Sequence, residues 1–186
     1  MGTRFCTTGP VGPQLGPLDA ANLREQFNAL RDDVLKIVAG NYLLTTAGIG
    51  TGTTADRVAH LAFSYVIAGI QYQKTAEPAG VVCTADTIPE DLYGAMAFEI
   101  AADGTVDPIS AAANATGYAT PALALAGIPA VAAGHVRLGT VTVMNSDAAY
   151  VFDTDSFAGA TVTEVYASEP VFGLDASMTA EDLTAD

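Results

Sequence analysis

Residues 134–145 read Gly-His-Val-Arg-Leu-Gly-Thr-Val-Thr-Val-Met-Asn, and this stretch decides the fold class. β-branched residues recur here with a period of two, which predicts a β-strand. Residues 93–100 alternate in the same way, with Tyr and Ala on one face and Met, Phe and Ile on the other. The pair Asp103-Gly104 that follows predicts a tight hairpin turn. The chain is therefore predicted to be mainly β.

Further stretches complete the predicted β domain. Residues 60–73 alternate over their whole length and predict one long strand, and shorter β-prone stretches lie at residues 150–152 and 161–166. Pro108 places the strand after the hairpin turn at a sheet edge or a strand end. Pro121 predicts the first turn of a short helix or turn. Short strands separated by turn residues indicate an antiparallel β-sandwich or a small barrel.

An apolar repeat near the N-terminus predicts an amphipathic helix over residues 18–40. Its apolar residues recur at alternating intervals of four and three, the a/d spacing of a coiled coil, for about two heptads. Such a narrow stripe needs a partner, either the chain's own β domain or the same helix in another copy. Residues 1–17 favour the second partner, because their glycines and prolines predict an extended attachment arm. The predicted oligomer-interface residues are Leu23, Phe27, Leu30, Val34 and Ile37.

The segments after the helix complete the predicted organisation. Residues 41–58 are rich in glycine and threonine and predict a flexible linker. The antiparallel β domain is expected over residues 59–170, and residues 171–186 are expected to form an acidic C-terminal tail. The predicted order along the chain is therefore arm, helix, linker, β domain and tail.

The charge of the chain argues against two classes of partner. The sequence holds 7 Lys and Arg against 21 Asp and Glu, a formal net charge of −14. Nucleic-acid binding and electrostatic membrane anchoring both need a cationic surface, so neither is expected. No long apolar stretch and no secretory signal are recognisable, so we expect synthesis in a cytoplasm and no membrane span. A strongly negative surface is typical of a protein that stays soluble at high density.

No group of residues has the spacing of a catalytic or metal-binding motif. Cys6 and Cys83 are too few for a disulfide framework or a zinc site, and are expected to be free thiols. His60 and His135 are expected to be ordinary surface or edge residues. We therefore predict no catalytic residue, no metal ligand and no cofactor, and the chain is not expected to be an enzyme.

Three alternatives stay open at this level. Asp153 and Asp155 could hold a cation, although the bidentate acid that a calcium loop needs at its far end is missing. Glu90-Asp91 and Glu99 could act as the paired carboxylates of a polysaccharide hydrolase. The tyrosines are predicted to pack in the core and at interfaces, with an exposed glycan-binding face as the alternative.

A series of turns and strands runs through the second half of the chain. Its parts are residues 93–106 with the Asp-Gly-Thr turn, the alanines at 111–113, Ile-Pro-Ala at 128–130, the strand at 134–143 and the stretch from Phe152 to Tyr166. Over residues 60–168 the chain resembles a class of virion structural proteins of tailed viruses (bacteriophages). These are capsid decoration, head-fibre and tail-fibre components.

The resemblance implies a structural role. Such proteins are commonly homotrimers with an N-terminal attachment segment, a helical stem and a β head, which is the order predicted here. We therefore expect a capsid decoration (cement) or head-fibre protein, located on the virion, that binds the major capsid protein or another virion protein. The alternative is a receptor-binding tail-fibre tip that recognises a host surface glycan. The resemblance carries over no catalytic residue.

Overall fold

The structure, a computed structural model of the chain, describes residues 40–171 together with Arg24, Phe27 and Asn28. Residues 40–171 form a mainly β unit in which every strand pair is antiparallel. The three N-terminal residues have helical backbone conformation, within the predicted helix. The predictions for the arm, for the acidic tail and for the following residues lie outside the described residues: Cys6, Leu23, Leu30, Val34 and Ile37.

Twelve strands, one short α-helix and one 3₁₀ turn make up the described β unit. The strands are β1 (Tyr42–Leu43), β2 (Gly50–Thr51), β3 (Arg57–His60), β4 (Phe63–Ile67), β5 (Ile70–Lys74), β6 (Glu77–Val82), β7 (Thr87–Ile88), β8 (Gly94–Ala101), β9 (Val106–Ser110), β10 (His135–Asn145), β11 (Tyr150–Val151) and β12 (Val162–Ser168). The α-helix, α1 (Pro121–Ala126), and the 3₁₀ turn (Asn114–Thr116) lie between β9 and β10.

The central sheet has the spatial order β12-β10-β8-β9. β10 coincides with the stretch that the alternation predicts. β8 and β9 form the predicted hairpin, and Gly104 in its turn has a φ of 84°, which favours glycine. Thr105 N donates a hydrogen bond of 2.8 Å to Asp103 Oδ1 and so closes this turn. Pro108 lies on β9 at the edge of the sheet, as predicted.

Residues 41–58, expected as a linker, belong to the β unit. β1 pairs with β4, and β2 pairs with β3. Leu43, Ala47 and Ile49 from this segment are buried in the core. The two strands are only two residues long, so they leave no alternating pattern in the sequence. The β unit therefore begins well before residue 59, the expected boundary.

The stretch predicted as one long strand, residues 60–73, contains a hairpin. β4 pairs with β5, and Ile67 lies opposite Ile70. The two residues between them, Ala68 and Gly69, have φ values of 51° and 79°. Two successive positive φ values make the tight turn that suits the twist of a two-residue hairpin. Alanine is uncommon in this conformation, so the alternation of apolar residues concealed the turn.

The inner face of the central sheet carries the large core side chains. Phe98 and Val141 point to this face, and side chains from the smaller sheets β1-β4-β5, β2-β3-β6 and β11-β7 pack in the same core. Among the described residues, the sheets stay separate and do not close into a barrel, because β9 and β12 remain the two edges of the central sheet. The fold is therefore built on one core that several small antiparallel sheets share.

A β-bulge in β10 shapes this core. The register shifts between Arg137 and Gly139, so that Leu138 is an extra residue near Phe98. A Cβ atom on Gly139 would lie 2.4 Å from the carbonyl oxygen of Ala167, so a side chain cannot fit there. The glycine lets β10 and β12 stay paired next to the bulge.

The outer face of the central sheet carries small side chains. Ala95 packs with Ala111 and with Ala124 of α1, which lies over β8 and β10. The Oγ1 atom of Thr120 accepts a hydrogen bond of 3.3 Å from Leu123 N and caps the helix. Pro121 occupies its first turn, as predicted. Small side chains on the sheet allow this helix to approach closely.

Candidate functional site

Asp153 and Asp155, the residues considered for a cation, form hydrogen bonds within the turn after β11. Val151 N donates a hydrogen bond of 2.7 Å to Asp155 Oδ2, and Thr154 Oγ1 donates one of 2.9 Å to Asp153 Oδ1. Asp153 has a φ of 71°, as expected for a tight turn. No group of three or more His, Cys, Asp or Glu side chains within the described ranges could hold a metal ion. These carboxylates therefore stabilise the turn after β11.

Glu99 is the centre of a buried ion-pair cluster on the outer face. Its side chain is 1% exposed, and Oε1 lies 2.7 Å from Nη2 of Arg137. Its other oxygen, Oε2, accepts a hydrogen bond of 3.1 Å from Ala132 N. Arg137 Nη2 also donates a hydrogen bond of 2.6 Å to the carbonyl oxygen of Pro129. We call these contacts the Glu99 clamp.

The Glu99 clamp attaches a loop to the sheet. Both oxygens of Glu99 have partners, and the carboxylate is not open to solvent. Glu90 and Asp91, the other acids considered for hydrolysis, are exposed in the segment before β8. A hydrolase needs two acids that face a substrate across a cleft. The clamp holds the Glu99 carboxylate in structural contacts, away from any substrate in solution.

The two histidines lie in different surroundings. His60 is 4% exposed, which differs from the expected surface or edge position, because β3 is the middle strand of β2-β3-β6. Its Nδ1 atom lies 2.9 Å from the carbonyl oxygen of Leu61, and its ring meets Phe63 edge to face at 5.3 Å. Burial lowers the pKa of His60 below the ordinary value of 6.5. His135 is partly exposed, with Nε2 3.7 Å from Asp107 Oδ2.

Four tyrosine hydroxyls have hydrogen-bond partners within the β unit. Tyr65, Tyr118, Tyr150 and Tyr166 each form a hydrogen bond within the chain. Burial raises the pKa of Tyr166 to about 12 and also raises the pKa of Tyr150. Tyr65 donates to the Ala101 carbonyl oxygen, and Tyr118 accepts from the Ala113 N–H. Tyr150 donates to the Asp155 carbonyl oxygen, and the Tyr166 hydroxyl bonds the Thr51 hydroxyl. These rings support the packing prediction better than the glycan-binding alternative.

Cys83 is buried in the core and has a free thiol. Burial raises its pKa to about 12, so the thiolate form is scarce at neutral pH. Reaction with electrophiles or metal ions needs the thiolate. Cys83 therefore packs as a small apolar residue.

A cavity of about 600 Å³ lies between β1, the start of β10 and the segment that follows β12. Tyr42 lines it from β1, Val171 from the segment after β12, and Val131 from the loop after α1. Its polar lining residues are Asn41, His135, Arg137 and Glu169. A cavity with apolar walls and a few polar groups can bind a small ligand or a side chain of a partner.

A second feature is an exposed surface without charge. No Asp, Glu, Lys or Arg occurs between Asp107 and Arg137 in the sequence. Within this interval, α1 and the loop that follows it are exposed, and we call residues 119–134 the uncharged face. Its large apolar side chains are Leu123, Leu125 and Val131, which are 54%, 39% and 43% exposed. Sequence reasoning treated this stretch only as a short helix or turn, although its lack of charge was visible.

One predicted oligomer-interface residue lies within the described residues. Phe27 is 69% exposed. The other four, which are Leu23, Leu30, Val34 and Ile37, lie outside the described residues.

Comparison of the chain with protein-family models, with curated proteins and with solved structures finds no match. Among the residues that the structure describes, no helix is long and apolar enough to cross a membrane.

Proposed function

We propose that the chain is a structural virion protein of a tailed virus, a capsid decoration (cement) or head-fibre component. In this proposal the N-terminal arm and helix attach it to the major capsid protein or another virion protein. The helix joins copies into a homotrimer, and the acidic β domain projects outward or reinforces the shell. The β domain is assigned to the sandwich class, because small sheets pack against one face of the central sheet.

The exposure of Phe27 is the observation that carries this proposal. A side chain that is 69% exposed at an a/d position leaves apolar area in water that a partner helix would cover. Two heptads are too short to hold copies together alone, so the β domain or the acceptor surface has to contribute. The sequence order of arm, helix and β domain then matches an attachment device at one end and a displayed body at the other.

The charge and the strand-edge chemistry of the β domain fit dense display. A net charge of −14 keeps neighbouring copies from non-specific association. Edge strand β9 contains Pro108, which has no N–H to donate, and this blunts pairing with a strand of another copy. A protein present in many copies on one shell needs both kinds of protection.

Quantitative mass spectrometry of virus particles purified from the source of this chain tests the proposal. We expect the chain in many copies per particle, and we expect a variant without residues 1–17 to be absent from particles. Particles that lack the full chain would contradict the virion assignment. A chain that still attaches without residues 1–17 would contradict the attachment role of the arm.

The receptor-binding alternative has one observation in its favour, the cavity lined by Tyr42, His135 and Arg137. A pocket with an aromatic ring and polar groups suits a sugar better than a flat surface does. Saturable binding of the purified chain to host cells, abolished by His135→Ala, would favour this alternative. Binding to capsids without binding to cells would favour decoration.

A further inference from the structure

Within residues 40–171, β12 is the one long edge strand without a feature that hinders pairing with another strand. The edge strands β1, β2, β7 and β11 are only two residues long. Edge strands β6 and β9 contain Pro78 and Pro108, and edge strand β5 ends in Lys74. Short length, proline and lysine each discourage the addition of a strand. β12 has seven residues, Val162–Ser168, and none of them is proline, lysine or arginine.

Hydrogen bonds at the two ends of the β10–β12 ladder show which main-chain groups of β12 face outward. Ser146 N donates a hydrogen bond of 3.1 Å to the Thr161 carbonyl oxygen, and Glu169 N donates one of 3.1 Å to the Leu138 carbonyl oxygen. The register between these two pairs is continuous. Hydrogen-bonded pairs alternate with non-bonded pairs in an antiparallel ladder. The odd-numbered residues of β12 therefore bond to β10, and the even-numbered residues direct their N–H and carbonyl groups away from it.

Glu164 and Tyr166 lie at the middle of this outward row. No hydrogen bond between described residues reaches their main-chain N–H or carbonyl groups. Val162, at the start of the strand, instead donates its N–H to the Gly159 carbonyl oxygen at 3.1 Å. Two N–H donors and two carbonyl acceptors are therefore open along the edge, and their chemistry specifies a β-strand as the partner.

The outer face of β12 carries no charge. Val165 is 57% exposed, and Thr163 and Ala167 on the same face are also exposed. Side chains alternate between the faces of a strand, so Glu164, the one charged residue of β12, lies on the other face. An added strand would therefore meet an uncharged row on one face and a single carboxylate on the other.

We propose that β12 pairs antiparallel with β12 of a second copy, about a two-fold axis at Val165. The outward groups of the two strands match when Glu164 of one copy lies opposite Tyr166 of the other. Val165 then lies opposite Val165, and Thr163 lies opposite Ala167. All seven residues of each strand take part in this register.

The sequence of β12 is complementary to itself in this register. A shift of two residues is the smallest that keeps the hydrogen bonds matched, and in either direction it leaves two residues of each strand unpaired. One of these shifts also places Glu164 opposite Glu164, and like charges directly opposite destabilise a strand pair. The register about Val165 avoids both losses. Because every copy carries this matching strand, the pairing needs no other molecule.

The inference goes beyond the proposed function and does not use the helix or the homotrimer. An isologous contact about a two-fold axis joins copies in twos and cannot by itself close a trimer. If the helix holds three copies, β12 pairs with a copy from a different trimer. The pairing joins two four-stranded sheets into one sheet of eight strands, which ends at the proline-containing strand β9 on both sides.

Disulfide cross-linking of the full chain tests the proposed register. Every variant carries Cys6→Ser, and the remaining Cys83 is buried. Val165→Cys places one thiol of each copy at the axis, in a non-hydrogen-bonded pair with Cα atoms about 4.5 Å apart, which a disulfide can span. With oxidised glutathione as the oxidant, we expect a covalent dimer on a denaturing gel without reductant.

Three matched variants make the cross-linking test specific. Thr163→Cys and Ala167→Cys should each remain uncross-linked alone, but a mixture of the two should form dimers, because the register places these residues opposite each other. Ile70→Cys on β5 has the same 57% exposure before substitution and reports chance collision between exposed thiols. It should give far less dimer than Val165→Cys.

The cross-linking outcomes decide the proposal. Absence of a Val165→Cys dimer, or an equal amount of dimer in Ile70→Cys, would overturn it. Dimers of Thr163→Cys or Ala167→Cys alone would indicate another register and would also overturn it. A chain that cross-links as expected but is absent from virus particles would support the pairing and contradict the virion assignment.

Light scattering over a concentration series gives a second measurement without oxidant. Val165→Lys places two ammonium groups opposite each other at the axis, so it should raise the dissociation constant of the pair at least about tenfold. Ile70→Lys is the matched control and should keep the wild-type constant. Circular dichroism confirms that the variants are folded, and an unchanged constant in folded Val165→Lys would overturn the proposal.

Discussion

The two faces of the central sheet are packed by different kinds of side chain. Phe98 and Glu99 are neighbours in β8, and both are 1% exposed, yet their side chains point to opposite faces. Phe98 enters a core of large apolar side chains, whereas Glu99 lies between Arg137 of β10 and Asp107 of β9, under a loop. The inner face is held by apolar area, and the outer face is held by one ion pair and by close approach of the backbone.

Removing a large side chain from the inner face should have the largest effect on stability. Phe98→Ala should lower the free energy of unfolding by about 4 kcal/mol, because it removes a buried ring and leaves a cavity. Urea unfolding followed by circular dichroism measures the change. Val165→Ala on the exposed outer position is the control and should stay within about 0.5 kcal/mol. Equal losses in both variants would contradict the division between the two faces.

Breaking the Glu99 clamp should cost slightly less. Glu99→Gln should lower the free energy of unfolding by about 3 kcal/mol, because it leaves the guanidinium of Arg137 largely buried without its counter-charge. The double variant Glu99→Gln/Arg137→Met removes both charges and should recover part of the loss. If the double variant loses more stability than Glu99→Gln and Arg137→Met lose together, an unpaired buried charge is not the cause of the loss.

His60 should make stability depend on pH. Its folded pKa lies below the unfolded value of 6.5, so the unfolded chain binds the proton first as the pH falls. The contribution of His60 is present above pH 6.5 and is lost between that value and its folded pKa, with a slope of at most about 1.4 kcal/mol per pH unit. Urea unfolding from pH 7.5 to 5.5 should show a shallower decline in His60→Phe. Parallel curves for the two proteins would contradict a neutral buried imidazole.

The smallest expected effect concerns only the chemical reactivity of the Cys83 thiol. In a Cys6→Ser background, the thiol of Cys83 should react with a maleimide only after unfolding, because burial raises its pKa to about 12 and excludes the reagent. Mass spectrometry of protein labelled with and without denaturant measures the difference. Rapid labelling without denaturant would show that the core around β6 opens readily.

Local sequence patterns predicted the central sheet well and its additions poorly. The alternation in β8 and β10 and the Asp-Gly turn are signals within one segment, and the structure confirms them. Leu43 lies in a two-residue strand, and Ile49 directly precedes another, so neither leaves a period in the sequence. Both were missed because their burial depends on sheets that form elsewhere in the chain. The burial of His60 was missed for the same reason, since only the pairing of β3 on both sides covers it.

The candidate surfaces also divide into features that the sequence shows and features that only the structure shows. The heptad stripe is a sequence prediction, and Phe27 is its one member that the structure describes. The uncharged face needed both kinds of information, because the lack of charge is visible in the sequence but the exposure of Leu123 and Leu125 depends on Ala124 packing against the sheet. The Glu99 clamp could not be foreseen, since its two charges are 38 residues apart.

The sequence by itself determined that this chain is mainly β, acidic and able to form a tight hairpin after β8. These properties depend on side-chain alternation, charge count and local turn chemistry, which act over a few residues. Only the tertiary structure decided which face of β8 meets large side chains, which loop the Glu99 clamp holds and which apolar residues stay exposed. Those outcomes depend on contacts between distant segments, and the energy of each contact exists only after the sheets have paired.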